Sequence, residues 1–327
     1  MRQPWIAGTI VVAALVAGAA VAWTARQTAG QAGRIAQVEA AMPQRASPTT
    51  GFDGSKAWEH LRQLVAIGPR PAGSAGIRQA RAYITRQLAA MGLTVQEQLF
   101  VANTPVGQVE MVNLAVRLPG RQAARILFAG HYDTKLFKNQ TFVGASDGGS
   151  SAAWLIELAR VLKDQPREFT TEIVWLDGEE AFCVGWTDCG RPESPDNTYG
   201  SRYYVQAARS ANALTSIRAM ILVDMIGDAD LGIRRDSNSA RWLTDIIWNR
   251  AASLAYGGIF LNENTAIEDD HLPFVEAGVD AVDIIDLDYP YWHTVDDSLA
   301  HVSQRSLQTV GDVLVAALPD IEARLKR

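Results

Sequence analysis

Residues 126–133 read ILFAGHYD, residues 173–180 read IVWLDGEE, and residues 220–227 read MILVDMIG. Each stretch is a nearly continuous apolar run that carries acidic or imidazole side chains at or near its end. Such a run is typical of a strand that is buried on both faces of a parallel sheet. Because helical patterns alternate with these strands, we predict an α/β fold with a mixed, mainly parallel central sheet and helices on both faces.

The remaining elements follow from the same periodicities. The predicted strands are 112–118, 125–133, 171–180, 219–227 and 281–289, and the predicted helices are 76–91, 150–162 and 201–209, with further helices beginning at 56 and 240. In open sheets of this kind, ligands bind beyond the carboxyl ends of the strands. We therefore expect the chemistry of this protein at that edge.

Residue types that bind metals collect at this predicted edge. They are His131 and Asp133, Glu179 and Glu180, Asp224, His293, and Asp147 at the start of a helix. Carboxylates and imidazoles that share a site repel or desolvate one another unless a cation compensates them. Zinc accepts both ligand types, and a catalytic zinc site keeps three protein ligands and one open position. The sequence therefore predicts a zinc site.

Each of these residues also has a simpler interpretation. Asp147 alone would be read as a helix N-cap, and Glu179 with Glu180 as a solvated turn. Asp224 is harder to explain in this way, because an unpaired carboxylate in an apolar strand is costly. Two adjacent carboxylates can also divide the work, one binding metal while the other transfers protons.

Composition restricts the partners. Of the 327 residues, 48% are hydrophobic and 20% are charged, which is ordinary for a globular protein. The net charge of −6 gives no basic field for neutralising phosphates, so nucleic acid is not an expected partner. Cys183 and Cys189 are the only cysteines. They form either a local disulfide or two free thiols, which the sequence leaves open.

The amino-terminal segment differs from the rest of the chain. Residues 4–23, PWIAGTIVVAALVAGAAVAW, carry no charge and are long enough to span a bilayer. We predict a signal anchor over 1–25, a linker over 26–54 and one catalytic domain over 55–327. The alternative is a cleaved signal peptide, with Ala20-Val21-Ala22 as the peptidase site and a secreted product.

The order of motifs from about Lys56 to the carboxyl terminus resembles that of a known family. The motifs are GHYDTK (130–135), FVGASDGGSSAAWLIELAR (142–160), WLDGEEAF (175–182), YGSR (199–202), LVDMIG (222–227), NSARW (238–242), EDDHLPF (268–274) and YWHTVDD (291–297). They resemble those of the glutaminyl-peptide cyclotransferases, or glutaminyl cyclases, within the clan of M28-type zinc aminopeptidases.

The resemblance implies a role for each matching residue. Asp147, Glu180 and His293 would bind one Zn2+, and Glu179 would transfer the proton, supported by Asp224 and Asp269. Trp186, Glu268 and Trp292 would line the substrate pocket. Glu268 departs from the animal cyclases, which carry Gln at that position, and one extra residue lies between GEEAF (178–182) and Trp186.

The implied reaction closes the N-terminal glutamine of a peptide or protein to pyroglutamate and expels ammonia. Zinc would act as Lewis acid, and the pKa of Glu179 is expected nearer neutrality than that of a free Glu. The alternative is an M28-type aminopeptidase with two zinc ions, in which His131 and Asp224 bind the second. A third alternative is a non-catalytic ectodomain. Maturation of exported peptides implies a membrane-anchored catalytic domain on the extracytoplasmic side.

Overall fold

The computed structural model describes residues 50–327, which lie in one compact unit. The predicted anchor and nearly all of the predicted linker fall outside the described residues. In the described part, none of the helices combines the length and the apolar character that a bilayer crossing needs. Residues at the end of the predicted linker pack against the domain, since Phe52 is buried with its ring centroid 5.4 Å from that of Trp154.

The described elements follow the predicted alternation. The helices are α1 (Gly54–Ile67), α2 (Ala75–Ala90), α3 (Gly149–Leu162), α4 (Tyr199–Ser210), α5 (Arg241–Ser253), α6 (Leu272–Glu276) and α7 (Gln304–Leu325). The strands are β1 (Gln96–Thr104), β2 (Gly107–Leu118), β3 (Gln122–His131), β4 (Phe169–Leu176), β5 (Gly190–Arg191), β6 (Ser194–Pro195), β7 (Ile217–Asp224), β8 (Ile233–Asp236), β9 (Phe260–Thr265) and β10 (Ala281–Ile285).

Six strands form the central sheet in the order β1-β2-β4-β3-β7-β10. The pairs β1–β2 and β2–β4 are antiparallel, whereas β4–β3, β3–β7 and β7–β10 are parallel. The mixed, mainly parallel sheet is therefore confirmed. The register pairs His131 with Leu176 and Asp224 with Ile285, so the carboxyl ends of the four parallel strands meet at one edge.

Helices cover both faces of this sheet, as predicted. Successive residues of β3 point to opposite sides, so Phe128 joins a large core cluster with Trp154 of α3, while Leu127 joins a second cluster with Tyr204 and Phe274. Burying a large apolar side chain contributes about 1.5–3 kcal/mol. The two apolar layers hold the sheet rigid between them and leave its carboxyl edge free for polar residues.

Candidate metal centre and active site

The imidazole of His131, the last residue of β3, lies among four carboxylates. Its Nε2 is 3.0 Å from Asp224 Oδ1 and 3.2 Å from Asp147 Oδ1. Its Nδ1 is 3.3 Å from Asp133 Oδ1 and 3.9 Å from Glu179 Oε2. Burial lowers the pKa of His131, but the neighbouring carboxylates, with Asp224 foremost, outweigh burial and raise it well above its ordinary value. The cluster of carboxylates therefore favours the protonated form of the ring.

Asp147 lies in the loop just before α3. The N-cap of α3 is Gly148, at φ 70°, so the interpretation of Asp147 as the N-cap is wrong. A side chain at Gly148 would collide with the backbone carbonyl of Asp133 and with the ring of His131, so glycine alone fits this close approach. Asp297 fixes the loop, because its two carboxylate oxygens accept hydrogen bonds from the backbone N–H groups of Ser146 (2.8 Å) and Asp147 (3.1 Å).

The turn after β4 separates the two glutamates. Gly178 adopts φ 72°, and Asp133 then accepts hydrogen bonds from the backbone N–H of Glu179 (3.2 Å) and of Glu180 (3.3 Å). Glu180 Oε1 lies 3.2 Å from Nε2 of His293, whereas Glu179 is directed toward His131. The backbone thus sends neighbouring carboxylates to different imidazoles, as a division of labour requires.

His293 is held by aromatic rings in the loop after β10. Its backbone has φ 56°, a left-handed conformation that costs energy for a non-glycine residue and that recurs at functional sites. Phe137 and Phe142 contact the imidazole edge-on at 5.9 and 5.8 Å between centroids, and Trp292 stacks on it at 4.2 Å. Trp292 is 44% exposed, so it forms the solvent-facing wall of the site.

Asp147, Glu180 and His293 meet where a metal would bind, with one ligand atom from each lying within 4.8 Å of the others. Asp147 Oδ2 and Glu180 Oε2 are buried and have no hydrogen-bond partner within residues 50–327. Buried carboxylate oxygens of this kind are costly unless a cation compensates them, and two carboxylates with one imidazole are ligands that zinc accepts. These three residues therefore fit a zinc ion.

A second donor triplet shares Asp147. It consists of His131, Asp147 and Asp224, and all three side chains are buried. The structure thus brings together the residues of both the predicted metal site and the predicted second site. Glu179 belongs to neither triplet.

The proton-transfer candidates are buried beside the first triplet. Burial raises the pKa of Glu179 well above its ordinary value, and the charges of Glu180 and Asp269 add to this shift while His131 opposes it. Burial, then the charge of Asp224, likewise raises the pKa of Asp269 well above its ordinary value. The site therefore favours the protonated form of both carboxyl groups, which is the direction of shift that a general acid and base needs.

A cavity of about 620 Å³ opens beside these carboxylates, and Trp186, Glu268 and Asp269 line it. Of the three predicted pocket residues, Trp186 and Glu268 share this cavity, whereas Trp292 lies on His293. Trp186 lies in a short loop that the Cys183–Cys189 disulfide closes, which resolves the choice that the sequence left open.

The sequence patterns gave no role to two residues that support the site. Asp297 holds the Asp147 loop, and the hydroxyl of Tyr289 donates a hydrogen bond to Asp297 Oδ1 at 2.9 Å. Arg70 is fully buried and donates hydrogen bonds to the carbonyls of Val143 (2.7 Å) and Gly144 (3.0 Å), in the same loop. The position of Asp297, four residues after His293, was the sequence feature that could have indicated a role in the site. Arg70 lies in a Pro-Gly segment that reads only as a break between helices.

Comparisons with known proteins agree with this geometry. The model of peptidase family M28 matches residues 113–318. The crystal structure of a glutaminyl cyclase from an Acidobacteriales bacterium is 37% identical, with a TM-score of 0.78 over 87% of this chain and 99% of that one. A glutaminyl-peptide cyclotransferase-like protein of Bos taurus is 28% identical over 300 residues, which cover 82% of this chain and 76% of its own. A leucine aminopeptidase precursor from Bacteroides thetaiotaomicron is 25% identical, with a TM-score of 0.75 over 83% of this chain and 98% of that one.

Proposed function

Because the chain belongs to peptidase family M28 and, within it, to the glutaminyl cyclases, we infer that it converts the N-terminal glutamine of peptides to pyroglutamate and releases ammonia. It is a glutaminyl-peptide cyclotransferase. The observation that carries the assignment to this site is the donor triplet Asp147, Glu180 and His293, with Glu179 beside it but outside it. This arrangement provides three metal ligands and a separate proton carrier.

The metal and the substrate would meet at this triplet. A zinc ion bound by Asp147, Glu180 and His293 would polarise the side-chain carbonyl of the substrate glutamine as a Lewis acid. Trp186 would contact the substrate in the cavity and Trp292 would contact it beside His293, and Glu268 would contact the substrate with a carboxylate. Holding the amine and the carboxamide at reacting distance lowers the activation free energy, because their freedom of motion is already lost when the substrate binds.

Glu179 would move the proton. As the α-amine nitrogen bonds to the carboxamide carbon, Glu179 accepts a proton from that nitrogen. It then donates the proton to the departing nitrogen, and the bond to that nitrogen breaks to release ammonia. Burial favours the protonated form of Glu179 and raises its pKa, and the charge of His131 at 3.9 Å opposes this shift by favouring the carboxylate form. Asp224 and Asp269 would support this transfer by controlling the charge around His131 and Glu179.

The direct test is incubation of the purified full-length protein with an N-terminal Gln peptide, following ammonia and the mass of the product. Cyclisation predicts loss of ammonia without shortening of the peptide, abolished by a chelator and restored by zinc. Release of free amino acids without ammonia would overturn the assignment.

The second donor triplet is the one observation that favours the aminopeptidase alternative. If His131 and Asp224 bound a second metal, Asp147 would bridge the pair and Glu179 would activate water. The similarity to the leucine aminopeptidase precursor is consistent with such a site. The same incubation separates the two reactions, because hydrolysis shortens the peptide and cyclisation does not.

We propose that the catalytic domain acts outside the cytosol, anchored by residues 4–23. The Cys183–Cys189 disulfide supports this location, since such bonds persist in oxidising compartments. Protease added to intact cells or spheroplasts should digest the domain. Protection of the domain until the membrane is opened would contradict this location.

A further inference from the structure

The cavity beside Asp269 is larger than one glutamine side chain requires. Its volume of about 620 Å³ equals that of roughly twenty waters at about 30 Å³ each. Besides Trp186 and Asp269, its lining includes Arg191 and Glu193 of the β5–β6 hairpin and Glu276 of α6. The space beyond the reacting end is therefore a groove in which more of a peptide can lie.

The groove is predominantly acidic. Glu193, Glu268 and Glu276 line it and are exposed, and none of them forms an ion pair within the described residues. At the inner end, Asp269 is only 4% exposed, and its Oδ2 has no hydrogen-bond partner within residues 50–327. A buried carboxyl oxygen without a hydrogen-bond partner in the lining indicates that a ligand supplies one there.

Two guanidiniums in the lining offset part of this charge, and one of them is already bound within the protein. The guanidinium of Arg202 is engaged, since it donates hydrogen bonds to the carbonyls of Pro195 (2.9 Å) and Asn197 (2.7 Å) and lies 4.9 Å from the ring centroid of Tyr199. Arg191 is the remaining cation in the lining. Three exposed carboxylates thus face one exposed guanidinium.

We propose that this groove binds the residues that follow the N-terminal glutamine and selects peptides with lysine or arginine at the second and third positions. The proposal rests on the cyclase function and specifies its substrate class. Basic side chains would pair with Glu193 and Glu276, while acidic side chains would meet like charge. Exposed ion pairs are individually weak, so the expected preference in kcat/KM is on the order of 3- to 10-fold.

The test compares kcat/KM of the full-length protein for three amidated peptides of equal length, Gln-Lys-Lys, Gln-Ala-Ala and Gln-Glu-Glu, followed by ammonia release. We expect the lysine peptide to be fastest and the glutamate peptide slowest. The preference should shrink between about 0.1 M and about 1 M salt, as the Debye length falls from about 10 Å to about 3 Å. Equal values for the three peptides would overturn the proposal and leave the cyclase assignment intact.

The double variant Glu193→Lys with Glu276→Lys should reverse the order, so that Gln-Glu-Glu becomes the better substrate. Both positions are exposed, and turnover of Gln-Ala-Ala verifies that the variant is folded. Glu97→Lys is the matched control, an exposed glutamate on β1 outside the groove, and should keep the original order. An unchanged order in the double variant would also overturn the proposal. Absence of ammonia from all three peptides with the unmodified protein would instead overturn the cyclase function on which it rests.

Discussion

The donor triplets Asp147/Glu180/His293 and His131/Asp147/Asp224 share one carboxylate but differ in how their atoms are used. In the first, Asp147 Oδ2 and Glu180 Oε2 lack hydrogen-bond partners within the described chain, and the side chain of His293 is 19% exposed. In the second, both ring nitrogens of His131 contact carboxylates, and Asp224 Oδ1 also accepts a hydrogen bond from the backbone N–H of Met225. Those two oxygens of the first triplet lie 3.4 and 3.2 Å from His293 Nε2 without a hydrogen bond, whereas the second triplet is held by hydrogen bonds of its own side chains.

This difference separates a metal site from a charged support. Buried oxygens that accept no hydrogen bond can bind an ion with the loss of fewer hydrogen bonds. Neighbouring carboxylates raise the pKa of His131 well above its ordinary value and that of His293 to about 10, so the charge of the imidazole does not distinguish the triplets. A second zinc would have to displace the hydrogen bonds of His131 to Asp133 and Asp224. We therefore expect one metal per chain, at the first triplet.

The largest effect should come from removing one imidazole from each triplet. We expect His293→Ala to lose zinc. Its kcat/KM should fall by more than about 10³-fold, because a metal ion stabilises the charge of the transition state by several kcal/mol. His131→Ala should keep zinc and lose only about 10- to 100-fold, the range typical of residues outside the ligand set. Zinc content and turnover measured on both variants check this. Loss of zinc in His131→Ala would remove the distinction between the triplets.

Glu179 tests whether proton transfer is separate from metal binding. Glu179→Gln keeps the size of the side chain but cannot accept a proton, so kcat should fall by about 10²- to 10⁴-fold. The zinc content should equal that of the unmodified protein. Glu97→Gln, an exposed change on β1, is the matched control and should retain activity. Retained turnover in Glu179→Gln would exclude it as the proton carrier.

Asp297 tests how the shared carboxylate is held. Asp297→Asn leaves only one carbonyl oxygen for the two backbone N–H groups of the Asp147 loop, so zinc affinity should fall by about 10- to 100-fold. Asp312→Asn is the matched control. Asp312 is a buried aspartate of α7 that accepts hydrogen bonds from Thr50, Gln308 and Tyr256. Competition with a zinc chelator measures both affinities, and equal losses would show a general effect on stability.

The smallest effect should come from the loop that carries Trp186. Replacing Cys183 and Cys189 by Ser removes the disulfide, which joins residues six positions apart. Because the closed loop is short, the free energy of unfolding should fall by at most about 2 kcal/mol. Because Trp186 lines the cavity and no metal ligand is touched, KM should rise more than kcat falls. Thermal unfolding and steady-state kinetics measure the two effects. A loss of zinc would show that this loop supports the metal centre, and it would contradict the view that the loop acts on substrate binding alone.

The buried strands and the strand-end residues could be predicted from the sequence because both follow local patterns. Near-continuous apolar runs gave β3, β4 and β7, and their ends gave His131, Glu180 and Asp224. Local patterns do not identify residues that support the site from distant positions in the sequence. Asp297 lies 150 positions after Asp147 in the sequence, and Arg70 lies 74 positions before Gly144, yet both bind the Asp147 loop.

Three further differences have local causes. Asp147 resembled an N-cap because an Asp before a helix is a common cap, but Gly148 takes that position since only glycine fits against His131. The edge strand β1 has an apolar run of only four residues, 99–102, and two of them, Leu99 and Val101, are exposed. The disulfide depended on how close Cys183 and Cys189 come in space, which sequence spacing alone does not determine.

The measurement that tests the one-metal site most directly is the number and position of zinc ions in catalytically active protein, by elemental analysis and anomalous X-ray scattering. We predict one zinc per chain, bound by Asp147, Glu180 and His293, with His131 remaining hydrogen-bonded to Asp224. Two zinc ions in the active enzyme, the second between His131 and Asp224, would contradict this account.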